Sequence, residues 1–396
     1  MKNYFNNKVT YTSIAAALIL SACGGGGGGA PAPIGGKSYL DVYVSPSGVC
    51  SQTLSGRNVN IPCVSVTICE PNNASNCTTV SDVLLDTGSF GLRVFKPYIN
   101  GLTLPNLTSS GSNIAECVTY GDGTQNWGPV VSANVQLASD ATATNLPIQV
   151  IDSTYPGKTS ASCESAAVSS DEFGANGVLG VGPVVHDSGP YYSCNNGSCI
   201  RTLLPKSLEV ANPIAMLPNS MYNNGLTLIF PSVGASGASN IVGKAIFGVG
   251  TNSKNQVPAT VNVYPSSPNG IYPISMPIMY NSQQISGFLD TGSNFLSFTD
   301  NSISLCSGNE FYCPSSTMSI TPSNMSSSGN YITTDLTIGN ADSILNSSNN
   351  AFSNVGVTSL GNNVFDYGLP FFFGKTVYVG FSDKSSTIAS GSYWAF

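Results

Sequence analysis

A duplicated tetrapeptide places the strongest constraint on how this chain can fold. The residues Asp-Thr-Gly-Ser occur at 86–89 and again at 290–293. Each copy follows one apolar run and precedes another, and each is followed much later by an apolar segment with glycine, at 177–182 and at 367–374. The repeat predicts two half-chains built alike: strand, DTGS loop, strand, long excursion, and an apolar strand with glycine.

The remaining pattern predicts an all-β fold. From residue 39 onward, short segments alternate apolar and polar residues and are bounded by Gly, Pro, Asn and Ser, which is typical of strands. Long helical patterns are scarce, and the best short candidate, residues 202–212, contains Pro205. Only 8% of the residues are charged and 42 are glycines, a composition that suits a β-rich protein with many turns.

Composition also excludes several functions. The net charge of −7 with only 13 lysines and arginines argues against nucleic-acid binding. The single histidine, His186, excludes a histidine-rich metal site, and a Ser/His/Asp site is disfavoured because no G-x-S-x-G motif occurs. His186 lies in the stretch VVHDSGP and is most simply a loop residue. We expect no metal and no other cofactor.

The amino terminus has the features of an export signal. Lys2 and Lys8 precede a short apolar core at residues 14–20, which is too short to span a membrane. The sequence LSAC at 20–23 resembles the bacterial lipobox, so we expect a signal peptide over residues 1–22.

Cys23 is then the expected lipidation site, and the alternative is an ordinary signal peptide with an incidental cysteine. Six glycines at 24–29 favour lipidation, because residues 23–38 would form a flexible tether to a membrane-inserted anchor. Gly24 is not aspartate, and by resemblance to Gram-negative lipoproteins this favours the outer membrane. The sequence does not indicate which side of that membrane the protein faces.

Ten further cysteines indicate disulfides, because an even number in an exported chain is typical of them. A metal cluster competes weakly, since the sequence contains no C-x-x-C pair. Connectivity does not follow from sequence, but short loops favour the local pairs Cys69–Cys77, Cys194–Cys199 and Cys306–Cys313. Cys50–Cys63 is the next expected pair, and it leaves Cys117 to pair with Cys163.

The order of these blocks resembles the pepsin family of aspartic peptidases over residues 39–396. One DTGS is a weak signal, whereas two in the same context are strong. The segment VTYGDGT at 118–124 resembles the family's flap hairpin, with Tyr120, Gly121 and Asp122 at its tip, although Tyr120 is alternatively a plain hairpin aromatic. The tail at 368–381 resembles a family of exported bacterial proteins whose domain has no assigned function.

The resemblance implies a two-lobed acid-protease fold with pseudo-twofold symmetry and a cleft between the lobes. Residues 39–215 would form the first lobe, with the flap, and residues 216–396 the second. The protein would be a monomer that takes a peptide or protein substrate in the cleft.

The resemblance also implies a role for each DTGS residue. Asp86 and Asp290 would be the catalytic pair, in which two carboxyl groups at close range cannot both ionise easily. The other residues would support the pair, the glycines by letting backbone N–H groups approach, the threonines by bonding across to the opposite loop, and the serines by bonding the outer carboxylate oxygens: Gly88, Gly292, Thr87, Thr291, Ser89 and Ser293.

Two features depart from the family pattern. The family usually has a tryptophan shortly after the first DTGS, which partners the flap tyrosine, but residues 90–95 read FGLRVF. Trp127 is the candidate replacement for it. Residues 24–38 also leave no room for an inhibitory prosegment, so we expect control by location or pH.

The sequence therefore favours an aspartic endopeptidase of the cell envelope. The alternatives are a catalytically silent pepsin-fold binding or inhibitor lipoprotein, and a structural surface lipoprotein. Silent proteins of this kind usually lose one aspartate or its glycine, and both DTGS copies are intact here.

Overall fold

The computed structural model describes residues 37–44, 50, 52–53, 56–158, 163–164, 166–266, 274–359 and 363–396. The predicted signal peptide, Cys23 and most of the tether lie outside the described residues. Within the described part of the chain, no helix is both long enough and apolar enough to cross a membrane.

The prediction of an all-β protein is confirmed. The strands of the first half are β1 (Tyr39–Val44), β2 (Gln52–Thr53), β3 (Gly56–Arg57), β4 (Pro62–Glu70), β5 (Asn73–Asp86), β6 (Phe90–Phe95), β7 (Thr108–Ser109), β8 (Ser112–Thr119), β9 (Gln125–Ala138), β10 (Ala141–Ile151), β11 (Gly177–Val181), β12 (Tyr191–Asn195) and β13 (Ser198–Thr202).

The second half contributes shorter strands. They are β14 (Gly225–Ile229), β15 (Ile241–Phe247), β16 (Val263–Pro265), β17 (Met276–Tyr280), β18 (Gln283–Phe288), β19 (Leu296–Phe298), β20 (Met318–Ile320), β21 (Ser323–Met325), β22 (Tyr331–Thr333), β23 (Leu336–Ile338), β24 (Gly356–Thr358), β25 (Val364–Asp366), β26 (Thr376–Gly380) and β27 (Tyr393–Ala395).

Helices are short wherever the structure describes the chain. They are α1 (Ser170–Phe173), α2 (Ala341–Leu345) and α3 (Gly368–Phe372), and there are 3₁₀ turns at Lys96–Ile99 and Lys206–Leu208. The helical candidate at 202–212 thus forms only the second 3₁₀ turn. Pro205 lies directly before that turn and has no N–H with which to extend a helix.

One large sheet runs through both halves of the chain, in the order β13-β12-β8-β9-β10-β6-β11-β5-β4-β1-β15-β14-β26-β27-β16, with β7 on β8. The halves join where β1 pairs antiparallel with β15, from Tyr39 opposite Ile246 to Val44 opposite Ile241. A second sheet has the order β22-β21-β17-β18-β25-β19-β24, and β2-β3 and β20-β23 form two small ribbons.

A five-strand arrangement occurs twice, once in each sheet. The order β10-β6-β11-β5-β4 has the same relative directions as β24-β19-β25-β18-β17: parallel, antiparallel, parallel, antiparallel. The first DTGS connects β5 to β6, and the second connects β18 to β19. In each copy the strand that arrives last, β11 or β25, lies between the two strands that flank DTGS.

The two glycine-containing segments differ in structure. Residues 177–182 supply β11 as expected, but the prediction of a strand over 367–374 is wrong. The strand ends earlier, at Asp366, and the chain then turns into α3. Gly368 has a positive φ of 52°, which turns the chain out of the sheet, and Pro370 has no N–H for a strand ladder.

Five disulfides staple the chain, and the predicted pairing is confirmed for all of them: Cys50–Cys63, Cys69–Cys77, Cys117–Cys163, Cys194–Cys199 and Cys306–Cys313. Most close short loops, with partners 5 to 13 positions apart in the sequence, whereas Cys117 and Cys163 are 46 positions apart. The core beneath both DTGS loops is apolar, and Leu85 and Leu289, directly before the aspartates, are fully buried.

Candidate active site

The two DTGS loops meet, and each aspartate lies against the glycine of the opposite loop. A Cβ built on Gly88 would lie 2.6 Å from Cγ of Asp290, and one on Gly292 would lie 2.7 Å from Oδ1 of Asp86. Real side chains do not come so close, so only glycine fits either position. Because Gly88 and Gly292 have no Cβ, the two carboxyl groups can approach each other.

Each carboxyl group is held by the same two donors of its own loop. The Gly88 N–H donates to Oδ1 of Asp86 over 2.7 Å, and the Ser89 hydroxyl donates to Oδ2 over 2.5 Å.

The second loop repeats this pattern. Gly292 N–H donates to Oδ1 of Asp290 over 2.7 Å, and the Ser293 hydroxyl donates to Oδ2 over 2.8 Å. These equivalent hydrogen bonds fix the rotamers of both aspartates, which a site that transfers protons requires.

The two threonines tie the loops together. The Thr87 hydroxyl donates to the carbonyl of Leu289 over 2.8 Å, and the Thr291 hydroxyl donates to the carbonyl of Leu85 over 2.7 Å. Each hydroxyl also accepts the backbone N–H of the other threonine. Both threonines are fully buried, so these four bonds have no competition from water.

The environment of the pair favours one retained proton. Asp86 is 5% exposed and Asp290 is partly buried. Burial raises the pKa of Asp290 well above the ordinary aspartate range, and the negative charges of Asp86 and Asp366 and a hydrogen bond with Asp86 raise it further. The Ser293 hydrogen bond opposes this rise but does not reverse it.

A hairpin carries Tyr120 towards the pair. Strands β8 and β9 pair from Ala115 opposite Pro129 to Thr119 opposite Gln125. In the turn, the Tyr120 N–H donates to the carbonyl of Thr124 and the Gly123 N–H donates to the carbonyl of Tyr120. The carboxylate of Asp122 accepts the N–H and hydroxyl of Thr124, while Gly121 lies at an open position in the turn.

The Tyr120 side chain is held from two sides. Its ring packs against Phe173, with 5.8 Å between centroids, and its hydroxyl accepts a bond from Asn126 Nδ2 over 2.9 Å. Burial raises the pKa of Tyr120; the charge of Arg93 opposes this rise, and the charges of Asp86 and Glu116 add to it.

Asn126, and not Trp127, is the residue of β9 that partners the tyrosine. The Trp127 indole N–H donates to the carbonyl of Tyr155 over 3.0 Å, and its ring packs on Tyr192. The suggestion that Trp127 replaces the family's tryptophan is therefore wrong. Successive side chains of a strand point to opposite faces, so only one of these neighbours can face the hairpin tip.

A comparison with known protein families gives one match that spans nearly all of the described chain. The family model described as "Protein of unknown function (DUF3443)" matches residues 42–396. The chain belongs to the DUF3443 family. No curated protein matches it. Both DTGS loops, the Tyr120 hairpin and all five disulfides lie within the DUF3443 match, so the site belongs to the domain that defines this family.

A buried ionic group beside the first loop was not predicted. Arg93 of β6 is fully buried and donates to the carbonyl of Phe90, to Glu116 of β8 over 3.0 Å, and to Asp187. Two carboxyl groups share one guanidinium, and burial raises the pKa of Glu116 to about 8 against the attraction of Arg93. The available signal was an arginine inside the apolar run FGLRVF, because a buried cation requires acidic partners.

Asp366 was missed in the same way. It ends β25, beside the second DTGS loop, and is only 8% exposed. The signal was an aspartate between Val364-Phe365 and the apolar segment that follows. The Gly368 N–H donates to Oδ1 of Asp366 over 2.9 Å.

Two other candidates lie outside this site. His186 is half-buried, and its pKa is lowered, first by burial and then by the positive charge of Lys206. Asp383 and Lys384 are the other charged residues that affect it. Cys306 and Cys313 lie near Asp342, but they form a disulfide and offer no thiolate to a metal.

Proposed function

We propose that this DUF3443 protein is an aspartic endopeptidase that hydrolyses peptide bonds by a water activated between Asp86 and Asp290. One observation carries the proposal: each aspartate is seated against the glycine of the other loop and is held by an equivalent N–H and an equivalent hydroxyl. A loop that merely capped a strand end would not need to face its own repeat.

A pepsin-like arrangement is the fold that we propose around this pair. Residues 39–215 and 216–396 would form two lobes related by a pseudo-twofold axis, with the substrate cleft between them. The duplicated five-strand arrangement supports this, because it presents the two loops from equivalent strands. The Tyr120 hairpin would then fold over a bound peptide and exclude water.

The chemistry follows from the unequal protonation of the pair. In this proposal Asp290 retains a proton, because burial and then the charge of Asp86 raise its pKa well above the ordinary aspartate range. Asp86 accepts a proton from water as the water oxygen bonds to the peptide carbonyl carbon, while Asp290 donates its proton to the carbonyl oxygen. When the tetrahedral intermediate breaks down, the C–N bond breaks and the proton on Asp86 passes to the leaving nitrogen. One hydroxyl of the intermediate re-forms the carbonyl group and returns its proton to Asp290, which restores the starting state of the pair.

The test uses the full-length protein and two single-atom changes. D86N and D290N keep the side-chain shape and remove the acid–base function. We expect each to lower cleavage of casein at about pH 3–6 by about 10²–10⁴-fold. Pepstatin should inhibit the wild type. The control is D82N, because Asp82 lies on the same strand β5 as Asp86. Burial raises the pKa of Asp82, and a hydrogen bond with Ser81 lowers it.

Folded wild-type protein that cleaves nothing over this range, or an Asn variant as active as the wild type, contradicts the peptidase proposal. Pepstatin or peptide binding without turnover would then support the alternative, a silent binding or inhibitor lipoprotein of the same fold.

The proposed location is the cell envelope, with a lipid anchor on Cys23 and the outer membrane as the favoured membrane. Five disulfides fit an oxidising compartment outside the cytosol. The C23S variant should move from the membrane fraction to the soluble fraction. Detergent partitioning identical to that of the wild type would contradict the anchor.

A further inference from the structure

One face of the large sheet combines charged and exposed apolar side chains. It is formed where β1 pairs with β15. On β1 the even-numbered residues are buried, and Tyr39, Asp41 and Tyr43 lie on the outer side. On β15 the residues opposite Asp41 and Tyr43 are Lys244 and Val242, and both are exposed. We call these five residues the β1–β15 face.

Three lysines surround the ring of Tyr39 on this face. The Nζ atoms of Lys37, Lys244 and Lys254 lie 5.2, 5.1 and 5.5 Å from the centre of the ring. The chain has a net charge of −7 and only 13 lysines and arginines, so three lysines at one tyrosine concentrate positive charge locally. Each ammonium group is attracted to the aromatic ring, which helps like charges to gather there.

One acid lies among the three lysines. The Lys37 ammonium group donates to the carboxylate of Asp41 over 3.2 Å, in an ion pair that is partly exposed. Lys244 and Lys254 are exposed, and within the described ranges neither forms an ion pair. The charge of the lysines therefore exceeds that of the acid, and two ammonium groups are available to an anionic partner.

Tyr43 and Val242 add apolar surface beside the lysines. They lie directly opposite each other on the two strands and are 44% and 48% exposed. At a membrane surface, lysines are attracted to anionic headgroups, and tyrosine rings settle at the level of those headgroups. The β1–β15 face thus has the chemistry of a surface that contacts anionic lipid.

The path of the chain favours a membrane as the partner. The described structure begins at Lys37, the first of the three lysines, and Cys23 is only 14 positions earlier in the sequence. A segment of that length reaches at most about 50 Å even when fully extended. A lipid on Cys23 would therefore keep the β1–β15 face close to the membrane, at a high local concentration.

We propose that the β1–β15 face is a second membrane contact, which docks on anionic lipid headgroups beside the anchor. Lys244 and Lys254 bind headgroup phosphates, and Tyr43 and Val242 enter the boundary between the headgroups and the acyl chains. The proposal rests on the proposed anchor for its setting, because a small contact of this kind gains most when the anchor makes it intramolecular. Its physical content, binding to anionic lipid through these four residues, is measured without the anchor.

The test is vesicle sedimentation of the full-length chain, with C23S in every variant. No acyl chain then contributes, and the amino terminus is the same throughout. Vesicles of phosphatidylcholine with phosphatidylglycerol should bind the protein about tenfold more tightly than vesicles of phosphatidylcholine alone. Salt at about 1 M should remove this difference, because it screens the exposed charges.

Variants of the face should change the binding in both directions. K244Q and K254Q should each weaken binding to the anionic vesicles by about fivefold, and Y43S combined with V242S should also weaken it. D41N removes the acid and should strengthen binding. The matched control is K158Q combined with K206Q, which removes two exposed lysines that lie on neither strand and should change binding by less than about twofold.

Equal binding to both kinds of vesicle, or an equal loss in the face variants and the control, overturns the proposal. Dimerisation that Y43S with V242S abolishes, without any binding to vesicles, overturns it in favour of a second copy of the chain. Membrane fractionation of the protein without C23S tests the anchor separately. Selective binding to anionic vesicles by a chain that carries no lipid in the cell would support the face and contradict the anchor.

Discussion

Thr87 and Thr291 bind each other reciprocally: the N–H of each donates to the hydroxyl oxygen of the other, over 3.0 and 2.9 Å. The two hydroxyl protons then go to the carbonyls that precede the opposite aspartates. The same four bonds therefore hold the two loops together and fix the separation of the carboxyl groups.

T87V and T291V should each destabilise the protein by about 2–4 kcal/mol, because each leaves one N–H and one carbonyl buried without a partner. Urea unfolding measures this. T87S and T291S keep the hydroxyl and should lose less than half as much. A valine variant as stable as its serine counterpart would show that the bonds across the loops contribute little.

G88A and G292A should abolish cleavage, because the added methyl group would occupy the position of the opposite carboxyl group. The matched control is G101A, where a Cβ meets no atom within 4 Å. We expect the control to cleave at the wild-type rate. An active G88A would mean that the two aspartates do not face each other as closely as described.

The protein should be most stable at mildly acid pH. Burial raises the pKa of Asp366 to about 7 and that of Glu116 to about 8, so the folded state keeps protons that the unfolded state loses above about pH 4. As the pH rises from the unfolded pKa of such a group to its folded pKa, the free energy of unfolding falls by about 1.4 kcal/mol per pH unit. Above the folded pKa this contribution no longer changes. Asp152 has the opposite effect. Its pKa is lowered in the folded state, so its contribution to stability is lost as the pH falls below about 4.

The test is the melting temperature of the wild type and E116Q from about pH 4 to pH 8. Glutamine copies protonated Glu116, so the two proteins should match at pH 4, and E116Q should be increasingly the more stable as the pH rises. Parallel curves would mean that Glu116 is ionised throughout, as a simple partner of Arg93.

The five disulfides should differ in their contribution to stability. The Cys117–Cys163 pair closes a 46-residue loop and the Cys194–Cys199 pair a 5-residue loop. On a chain-entropy basis their removal should cost about 4 and about 2 kcal/mol respectively. Chemical unfolding of the double alanine variants measures both. Equal losses would indicate that residual structure in the unfolded chain dominates.

The sequence predicted those features that are encoded locally. The DTGS loops, the Tyr120 turn and the short disulfide loops are each specified within a few residues. The Arg93 group was missed because its partners are 23 and 94 residues away, and no local pattern says which strands will meet. Trp127 was assigned to the wrong face, because a single residue does not reveal the phase of its strand.

Asp366 shows why the second half was harder to predict than the first. The pattern of apolar residues around Gly368 looked like a strand, but a positive φ and Pro370 end the strand there and start a helix. The aspartate that ends the strand then lies opposite Phe288 and Ser297, on the strands that flank the second DTGS loop. Its place could be assigned only once the register of β25 against β18 was known.

The pairing of β1 with β15 has a consequence for how the molecule assembles. The first strand takes as a neighbour a segment that begins at Ile241, and the last strand, β27, pairs with β16 and β26. A chain emerging from the ribosome amino terminus first therefore cannot complete its central sheet until synthesis is finished. Such sequence-distant pairings slow folding to the range of milliseconds to seconds and leave β1 unpaired on one edge meanwhile. A chain in that state needs protection from association with other chains before it reaches its native form.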